Sequence, residues 1–183
     1  MRRFLTAVFR FVTTLGGFLG RNARAITVFS YEGSETSFVS AGKTRILFES
    51  DGWISTPRVS EGGKIISIGI ENPKKKDYWH LEFAAPQGAV ISKGSFKDAM
   101  RYPFQPKGLP GLSFSGCHRG CNELAGEFTV LEAVFEGSRV ISFAVDFIQY
   151  EEGMKEKWNK GSVRYNSRVP LSDIPTSIKL VAQ

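Results

Sequence analysis

The stretch EFTVLEAVFEGSRVISFAVDFIQY at residues 127–150 is the strongest structural signal in the sequence. Two runs rich in β-branched and aromatic residues flank Glu136-Gly137-Ser138, which is typical of two strands joined by a tight turn. A two-residue turn would set Glu132 opposite Phe143 and mix the apolar and charged faces. A three-residue loop instead pairs Phe135 with Arg139 and keeps one apolar face, which holds Leu131, Ala133, Phe135, Ile141, Phe143 and Val145. Because a shift of one residue turns every side chain over, we predict the three-residue loop, in a hairpin at the centre of a sheet.

Seven further short runs of the same character lie outside this hairpin, separated by Gly, Pro, Ser and Asn. They are residues 26–31, 44–50, 53–59, 64–71, 78–85, 88–94 and 161–166. No segment after residue 25 has the pattern of a helix longer than two turns. The spacing predicts an all-β fold, an antiparallel, jelly-roll-like β-sandwich in a single domain over residues 26–167. Residues 168–183 are expected to form a tail or an edge strand.

Alternation in the run YWHLEFA at 78–84 predicts which side chains are buried. Successive side chains of a strand point to opposite faces. Trp79, Leu81 and Phe83 therefore share the core face, and His80 lies beside Glu82 on the wetter one. We interpret His80 as a surface histidine.

The first 25 residues carry most of the net charge of +6. They hold five arginines and no acidic residue, so the remainder has 19 basic and 18 acidic residues, a net charge of +1. An apolar run from Phe4 to Leu19, preceded by Arg2 and Arg3 and followed by Ala23-Arg24-Ala25, resembles an export signal with a small-residue cleavage site. The alternative is an uncleaved amphipathic helix on a membrane surface. We expect a secreted or periplasmic protein, with membrane contact only through this segment if it is retained.

A nucleic-acid partner is not expected, since the remainder of the chain is nearly neutral. The two basic runs, 74–76 and 155–160, resemble solvated turns or guarded sheet edges. Binding of a sugar through aromatic rings at loops or strand ends stays open. The candidate rings are Trp53, Tyr102, Phe104, Trp158 and Tyr165.

The segment SGCHRGCNEL at 115–124 holds both cysteines and one of the two histidines. A zinc site would need a second Cys or His pair, and the chain has none. The spacing does not fit Cys-x-x-Cys redox chemistry, and no βαβ pattern surrounds it. We therefore predict a disulfide between Cys117 and Cys121, which an exported protein can form. It would present a candidate binding loop of His118, Arg119, Asn122 and Glu123.

Asp146 interrupts an apolar strand and is a candidate polar site. In the predicted register Glu132 lies opposite Ser142, so Asp146 is four residues further along the same face. At about 3.3 Å per residue the separation is about 13 Å, too far for the paired carboxylates of a glycosidase. We expect no catalytic residue, metal site or cofactor.

Several stretches together resemble a recurrent, uncharacterised β-rich domain of secreted and cell-surface bacterial proteins. They are RYPFQ (101–105), PGLSFSG (110–116), RGCNELAGEFTVLEA (119–133), FAVDFIQ (143–149) and GSVRYNS (161–167). The resemblance implies an exported accessory domain and transfers no catalytic residue. In that pattern a polar residue usually stands at position 117, and a second cysteine near Glu151 could pair with Cys121. The departure here implies that a short local bridge replaces a cross-strand one.

The sequence leaves three functions open. The first is a non-catalytic module that binds a polysaccharide or an envelope protein through loops at one sandwich edge. The second is an extracytoplasmic hydrolase, for which His118, Glu123 and Asp146 are the plausible polar cluster. The third is a structural role in an envelope assembly.

Overall fold

The computed structural model describes residues 24–171, and residues 1–23 and 172–183 are not described. The predicted export signal lies almost entirely outside the described residues. Of the predicted tail, only residues 168–171 are described, and none of them is in a strand.

Ten strands and two short 3-10 helices make up the secondary structure of the described residues. The strands are β1 (Ile26–Gly33), β2 (Thr44–Phe48), β3 (Ile54–Val59), β4 (Ile65–Asn72), β5 (Asp77–Ala84), β6 (Gly94–Arg101), β7 (Gly111–Gly116), β8 (Leu124–Glu136), β9 (Arg139–Glu151) and β10 (Trp158–Ser167). The 3-10 helices are Glu49–Asp51 and Glu61–Gly63. Within residues 24–171 no helix is long and apolar enough to cross a membrane. The predicted all-β class is confirmed.

All ten strands belong to one sheet, in the order β2-β1-β10-β9-β8-β6-β7-β5-β4-β3. Most neighbours are antiparallel, but β6 and β7 are parallel where Met100 pairs with Gly111 and Arg101 with Leu112. The sheet is therefore mixed and continuous, whereas the prediction was of purely antiparallel strands in a sandwich. The long connection from β6 to β7, residues 102–110, makes the parallel pairing feasible without a helix.

The sheet curls so that one face becomes the interior. Phe29 of β1 contacts Phe114 of β7 with ring centroids 5.8 Å apart, and Phe83 of β5 contacts Phe128 of β8 at 5.1 Å. These contacts join strands that are far apart in the sheet order. The curl thus brings β2, β1, β10, β9 and β8 against β7, β5, β4 and β3 around a shared aromatic core.

The central hairpin forms, but with a different turn from the predicted one. Glu136 pairs with Arg139, so the turn is the two residues Gly137 and Ser138, with φ of 60° at Gly137. Two register shifts follow, one between Val134 and Phe135 and one between Val130 and Glu132. Each adds an unpaired residue and turns the following side chains over. Because of the bulges, Phe143 lies opposite Ala133 and not opposite Glu132. The predicted three-residue loop would also have kept Phe143 away from Glu132, by a different register.

Most predicted strands match observed ones, and residues 88–94 do not form a strand. The prediction also missed β6 and β7. Strand β6, GSFKDAMR, has little β-branched character and contains a bulge with φ of 55° at Asp98. The predicted faces of β5 are confirmed, because Trp79, Leu81 and Phe83 are buried and His80 is exposed.

Candidate functional site

The loop after β7 begins with a tight turn centred on Cys117 and His118. Gly116 and Arg119 exchange both backbone hydrogen bonds, each 2.9 Å long. Cys117 and His118 have φ of 50° and 63°, which is the left-handed conformation of a two-residue hairpin turn. The chain therefore reverses within two residues, and Arg119 runs back alongside Gly116.

The predicted disulfide is wrong. Both cysteines are free, and they are not close enough to be bridged. The Cys117 thiol donates to the Tyr78 carbonyl at 3.4 Å, on the β5 side of the loop. Cys121 lies beyond the reversal and accepts a hydrogen bond from Gln149 Nε2 of β9 at 3.5 Å. The tight turn thus sends the two sulfurs toward different strands.

His118 is exposed and bound to one tyrosine. The Tyr78 hydroxyl accepts the His118 backbone N–H at 3.0 Å and lies 3.1 Å from His118 Nδ1. The Tyr78 hydroxyl therefore holds both the backbone and the ring of His118.

The other predicted loop residues are tied to the fold. Asn122 donates its backbone N–H to the Glu152 carboxylate at 3.0 Å, and its carbonyl accepts from Arg101 Nη1 at 2.8 Å. The Glu123 carbonyl accepts the Glu152 backbone N–H at 2.9 Å. Arg119 is half-buried. The hydrogen bonds of Asn122 and Glu123 are made by backbone groups, and both side chains are exposed.

Asp146 lies on the outer face of β9, in a network with β10. Its carboxylate accepts from Ser162 Oγ at 2.7 Å and forms an ion pair with Arg164 Nη1 at 2.8 Å. The Arg164 side chain is fully buried and also donates to the carbonyls of Val145 and Pro170. Residues 168–170 thus cover Arg164 and attach the end of the described chain to the sheet.

The register brings Glu132 and Asp146 closer together than predicted. Glu132 lies opposite Ala144 rather than Ser142, so Asp146 is two residues further along instead of four. The separation along the strand is about 7 Å, so the predicted distance of about 13 Å is wrong and this distance does not exclude a pair of carboxylates. Glu132 accepts hydrogen bonds from the hydroxyls of Ser142 and Ser167. Both carboxylates are therefore oriented by protein contacts on the sheet face.

A row of polar side chains crosses five neighbouring strands on this outer face. The register sets Ser30, Ser162, Asp146, Thr129 and Ser95 directly opposite one another, on β1, β10, β9, β8 and β6. Ser95 Oγ and Thr129 Oγ1 are 3.0 Å apart. The next row towards the ends of these strands contains Glu32, Lys160, Ile148 and Glu127. Except for Ser95, these residues line a groove of about 370 Å³, which we call the outer groove.

Two aromatic residues stand beside the outer groove. Trp158 pairs with Tyr150 across β10 and β9, on the same face as Lys160 and Ile148. Both rings are partly exposed. Lys160 Nζ lies 4.7 Å from the centroid of the Trp158 ring and joins this aromatic pair to the groove.

The other candidate aromatic residues are not brought together with Trp158. Trp53 is buried beneath the Arg45 guanidinium, which lies 5.2 Å from its ring centroid. Phe104 is 71% exposed and carries Arg101 over its ring. Tyr165 packs against the core.

A second groove, of about 860 Å³, lies on the outer face of β3, β4 and β5. It contains Tyr102, Tyr78 and His80, and Gly69 opens its floor because nothing lies within 4 Å of the position a Cβ would take. His80 Nε2 is 3.5 Å from the Glu82 carboxylate. The hydrogen bond with Glu82 raises the pKa of His80 above its usual value, more than its partial burial lowers it. The predicted neighbourhood of His80 and Glu82 is confirmed.

No group of three or more His, Cys, Asp or Glu side chains in residues 24–171 could hold a metal ion. Asp146 lines the outer groove, whereas His118 contacts Tyr78 of β5. Comparison with family models, curated proteins and solved structures found no match.

Sequence reasoning found Asp146 but missed its polar neighbours. Glu127 and Thr129 flank Phe128 on alternate positions of β8, and Lys160 and Ser162 are likewise two residues apart in β10. This period-two pattern was the available signal. Only the register, however, shows that the polar residues of five different strands lie in one row.

Proposed function

We propose that this protein is a non-catalytic module that binds a polysaccharide of the cell surface in the outer groove. The observation that carries the proposal is the row of hydroxyl and carboxylate groups crossing five strands, with Trp158 and Tyr150 beside it. The proposed binding site is thus on a sheet face and not in the predicted loop at 116–123. The sheet face lines a groove with polar groups at regular spacing, of which Glu127 and Lys160 are exposed and make no side-chain hydrogen bond with any described residue.

The chemistry of the outer groove suits a sugar chain. Serine and threonine hydroxyls both donate and accept hydrogen bonds, and carboxylates accept them, which matches the many hydroxyl groups of a sugar. The Trp158 and Tyr150 rings offer flat, rigid surfaces for the apolar C–H face of a pyranose. A shallow groove on a sheet face also admits an extended polymer at any point along its length, which a closed pocket would not.

The proposal includes export and a sandwich-like packing of the curled sheet. The basic, apolar segment at 1–25 supports export, and the aromatic contacts between β1 and β5 or β7 support packing of two halves face to face. The exported protein would therefore meet its ligand outside the cytoplasm, where long surface polysaccharides are accessible.

Affinity electrophoresis and calorimetry with a panel of soluble surface polysaccharides test the proposal on the full chain. Trp158→Ala and Glu127→Gln should each weaken binding about tenfold, because they remove a stacking surface and a charged acceptor without breaking an internal hydrogen bond of the described residues. Glu71→Gln, which alters the second groove, is the matched control and should bind like the wild type.

Three results would contradict the proposal. One is equal binding by the wild type, Trp158→Ala and Glu127→Gln. Another is the absence of binding to any polysaccharide combined with capture of an envelope protein. The third is the release of shorter oligosaccharides during incubation, which would replace a binding module with a hydrolase.

A further inference from the structure

A second polar cluster lies inside the curled sheet, at the end covered by residues 34–43. Tyr31 pairs with Arg45 across β1 and β2, and Gly116 pairs with Trp79 on one side and Arg119 on the other. Directly opposite residues of paired strands place their side chains on the same face. Since Trp79 faces the interior, Arg119 also projects inward, and Gly116, which lies between them, has no side chain.

Two polar groups of this cluster have no hydrogen-bond acceptor among residues 24–171. The Tyr31 O–H and the Arg119 Nε–H are both buried without an acceptor, and the Arg45 guanidinium, which interacts with the Tyr31 hydroxyl, is itself only a donor. Tyr31 is only 1% exposed. Nε1 of Trp79, whose six-membered ring lies over Gly116, is also buried without a partner. Leaving a buried donor unsatisfied is unfavourable, so a bound acceptor at Tyr31 and Arg119 would be stabilised.

The carboxylates at this end are already engaged. Asp77 forms an ion pair with Arg45 at 3.1 Å. Glu151 is buried and accepts hydrogen bonds from Ser37, Val39 and other donors. Arg119 makes no ion pair with any described residue and therefore leaves a positive charge without a partner.

Both unpartnered atoms are donors at neutral pH. Burial raises the pKa of Tyr31 to about 12, although the nearby Arg45 and Arg119 guanidinium groups act to lower it. The tyrosine therefore keeps its proton and donates it. An arginine Nε–H has no acceptor capacity. A ligand must supply acceptors only, and a negative charge in addition.

We propose that Arg119 and Tyr31 bind an oxyanion group, a carboxylate or a phosphate. The Arg119 guanidinium meets it along the Nε edge, where two parallel N–H donors match two oxygens, and the Tyr31 hydroxyl donates a further hydrogen bond. The approach is beside the Arg45–Asp77 pair, whose side chains are 27% and 34% exposed. This site is separate from the outer groove and does not depend on the function proposed for it.

Thermal unfolding of the full chain in sodium acetate, sodium phosphate or sodium chloride at equal ionic strength tests the proposal. Acetate or phosphate should stabilise the wild type above chloride. With a dissociation constant of about 1 mM, 10 mM anion raises the folding equilibrium constant about tenfold. Stabilisation by acetate alone identifies a carboxylate site, and stabilisation by phosphate alone a phosphate site.

Arg119→Gln and Tyr31→Phe should lose this anion effect. Arg139→Gln, which removes an exposed arginine from the central hairpin, should keep it. In case Arg119→Gln does not fold, the Nε–H resonance of Arg119 in the wild type gives a second measurement and should shift on titration with the stabilising anion. An equal anion effect in all variants, no specific anion effect up to 50 mM (about fifty times that dissociation constant), or a crystal structure with only water between Arg119 and Tyr31 would overturn the proposal.

Discussion

At the scale of single residues, the two cysteines show how neighbours along a chain can have different chemistry. Both pack against the core, but Cys117 occupies a left-handed position in a turn and contacts the Tyr78 carbonyl, whereas Cys121 contacts Gln149. Burial, and to a lesser extent the charges of Glu151 and Glu152, raises the pKa of Cys121 to about 11. Since the thiolate is the reactive form, Cys121 is protected from oxidation and exchange.

This protection predicts slow reaction of Cys121 with a thiol reagent. At pH 8 only about one Cys121 in a thousand is a thiolate, roughly a hundredfold fewer than for a group with the reference pKa of 9.0. A thiolate of higher pKa is also more nucleophilic, which offsets part of this difference. In the Cys117→Ser variant, Ellman's reagent should therefore react about tenfold more slowly with folded protein than with protein in urea.

The unreduced wild type provides the control, and its intact mass should show two free thiols. Equal rates in folded and unfolded protein would contradict the predicted protection. A mass lower by two hydrogens would show a disulfide and contradict the separation of the two sulfurs.

At the scale of elements, the connection between β1 and β2 is held by one buried carboxylate. Glu151, at the end of β9, is 2% exposed. It accepts hydrogen bonds from Ser37 Oγ at 2.7 Å, Phe38 N at 2.8 Å, Val39 N at 2.9 Å and Asn159 Nδ2 at 2.7 Å. All four groups donate to it, so the site requires a group that only accepts.

Glu151→Gln should consequently destabilise the protein. The amide NH₂ of glutamine would replace one accepting carboxylate oxygen, and this donor would then face another donor. We expect a loss of about 1–3 kcal/mol in the free energy of unfolding, measured by urea denaturation. Amide hydrogen exchange should also become faster in residues 34–43.

Glu136→Gln is the matched control, because Glu136 is 71% exposed and pairs with Arg139 at the surface. Its effect should stay within about 0.5 kcal/mol. Equal stability of the two variants would show that the Glu151 carboxylate does not hold the connection.

At the scale of the whole molecule, the curl of the sheet depends on close packing at a few positions. Trp79 of β5 lies over Gly116 of β7, and Tyr31 packs on Trp79 from the opposite half with ring centroids 4.7 Å apart. A Cβ at Gly116 would lie 2.4 Å from the Tyr78 carbonyl oxygen and 2.5 Å from the indole. The absence of a side chain at Gly116 therefore sets how closely the two halves approach.

Two strand glycines form a matched pair for testing this packing. Gly116→Ala should cost about 1–3 kcal/mol in the free energy of unfolding, as expected for overpacking against backbone. Gly69→Ala, in the open floor of the second groove, should be neutral or slightly stabilising, since it restricts the unfolded chain without a clash.

Urea denaturation measures the free energy of unfolding of both variants. The near-ultraviolet circular dichroism of the protein, to which Trp79 contributes, should change only in Gly116→Ala. Similar stability of the two variants would show that the halves can separate to accept a methyl group at Gly116.

The sequence by itself determined the all-β class, the central hairpin and the core face of β5, because these depend on local alternation and β-forming residues. It located Asp146 but not the row around it. The tertiary structure decided the two-residue turn with its bulges, the parallel contact of β6 with β7, the separation of the cysteines and the inward Arg119. Each of these depends on which residues of distant strands lie opposite one another, and a bulge or tight turn of one residue changes that register without changing the pattern along the chain.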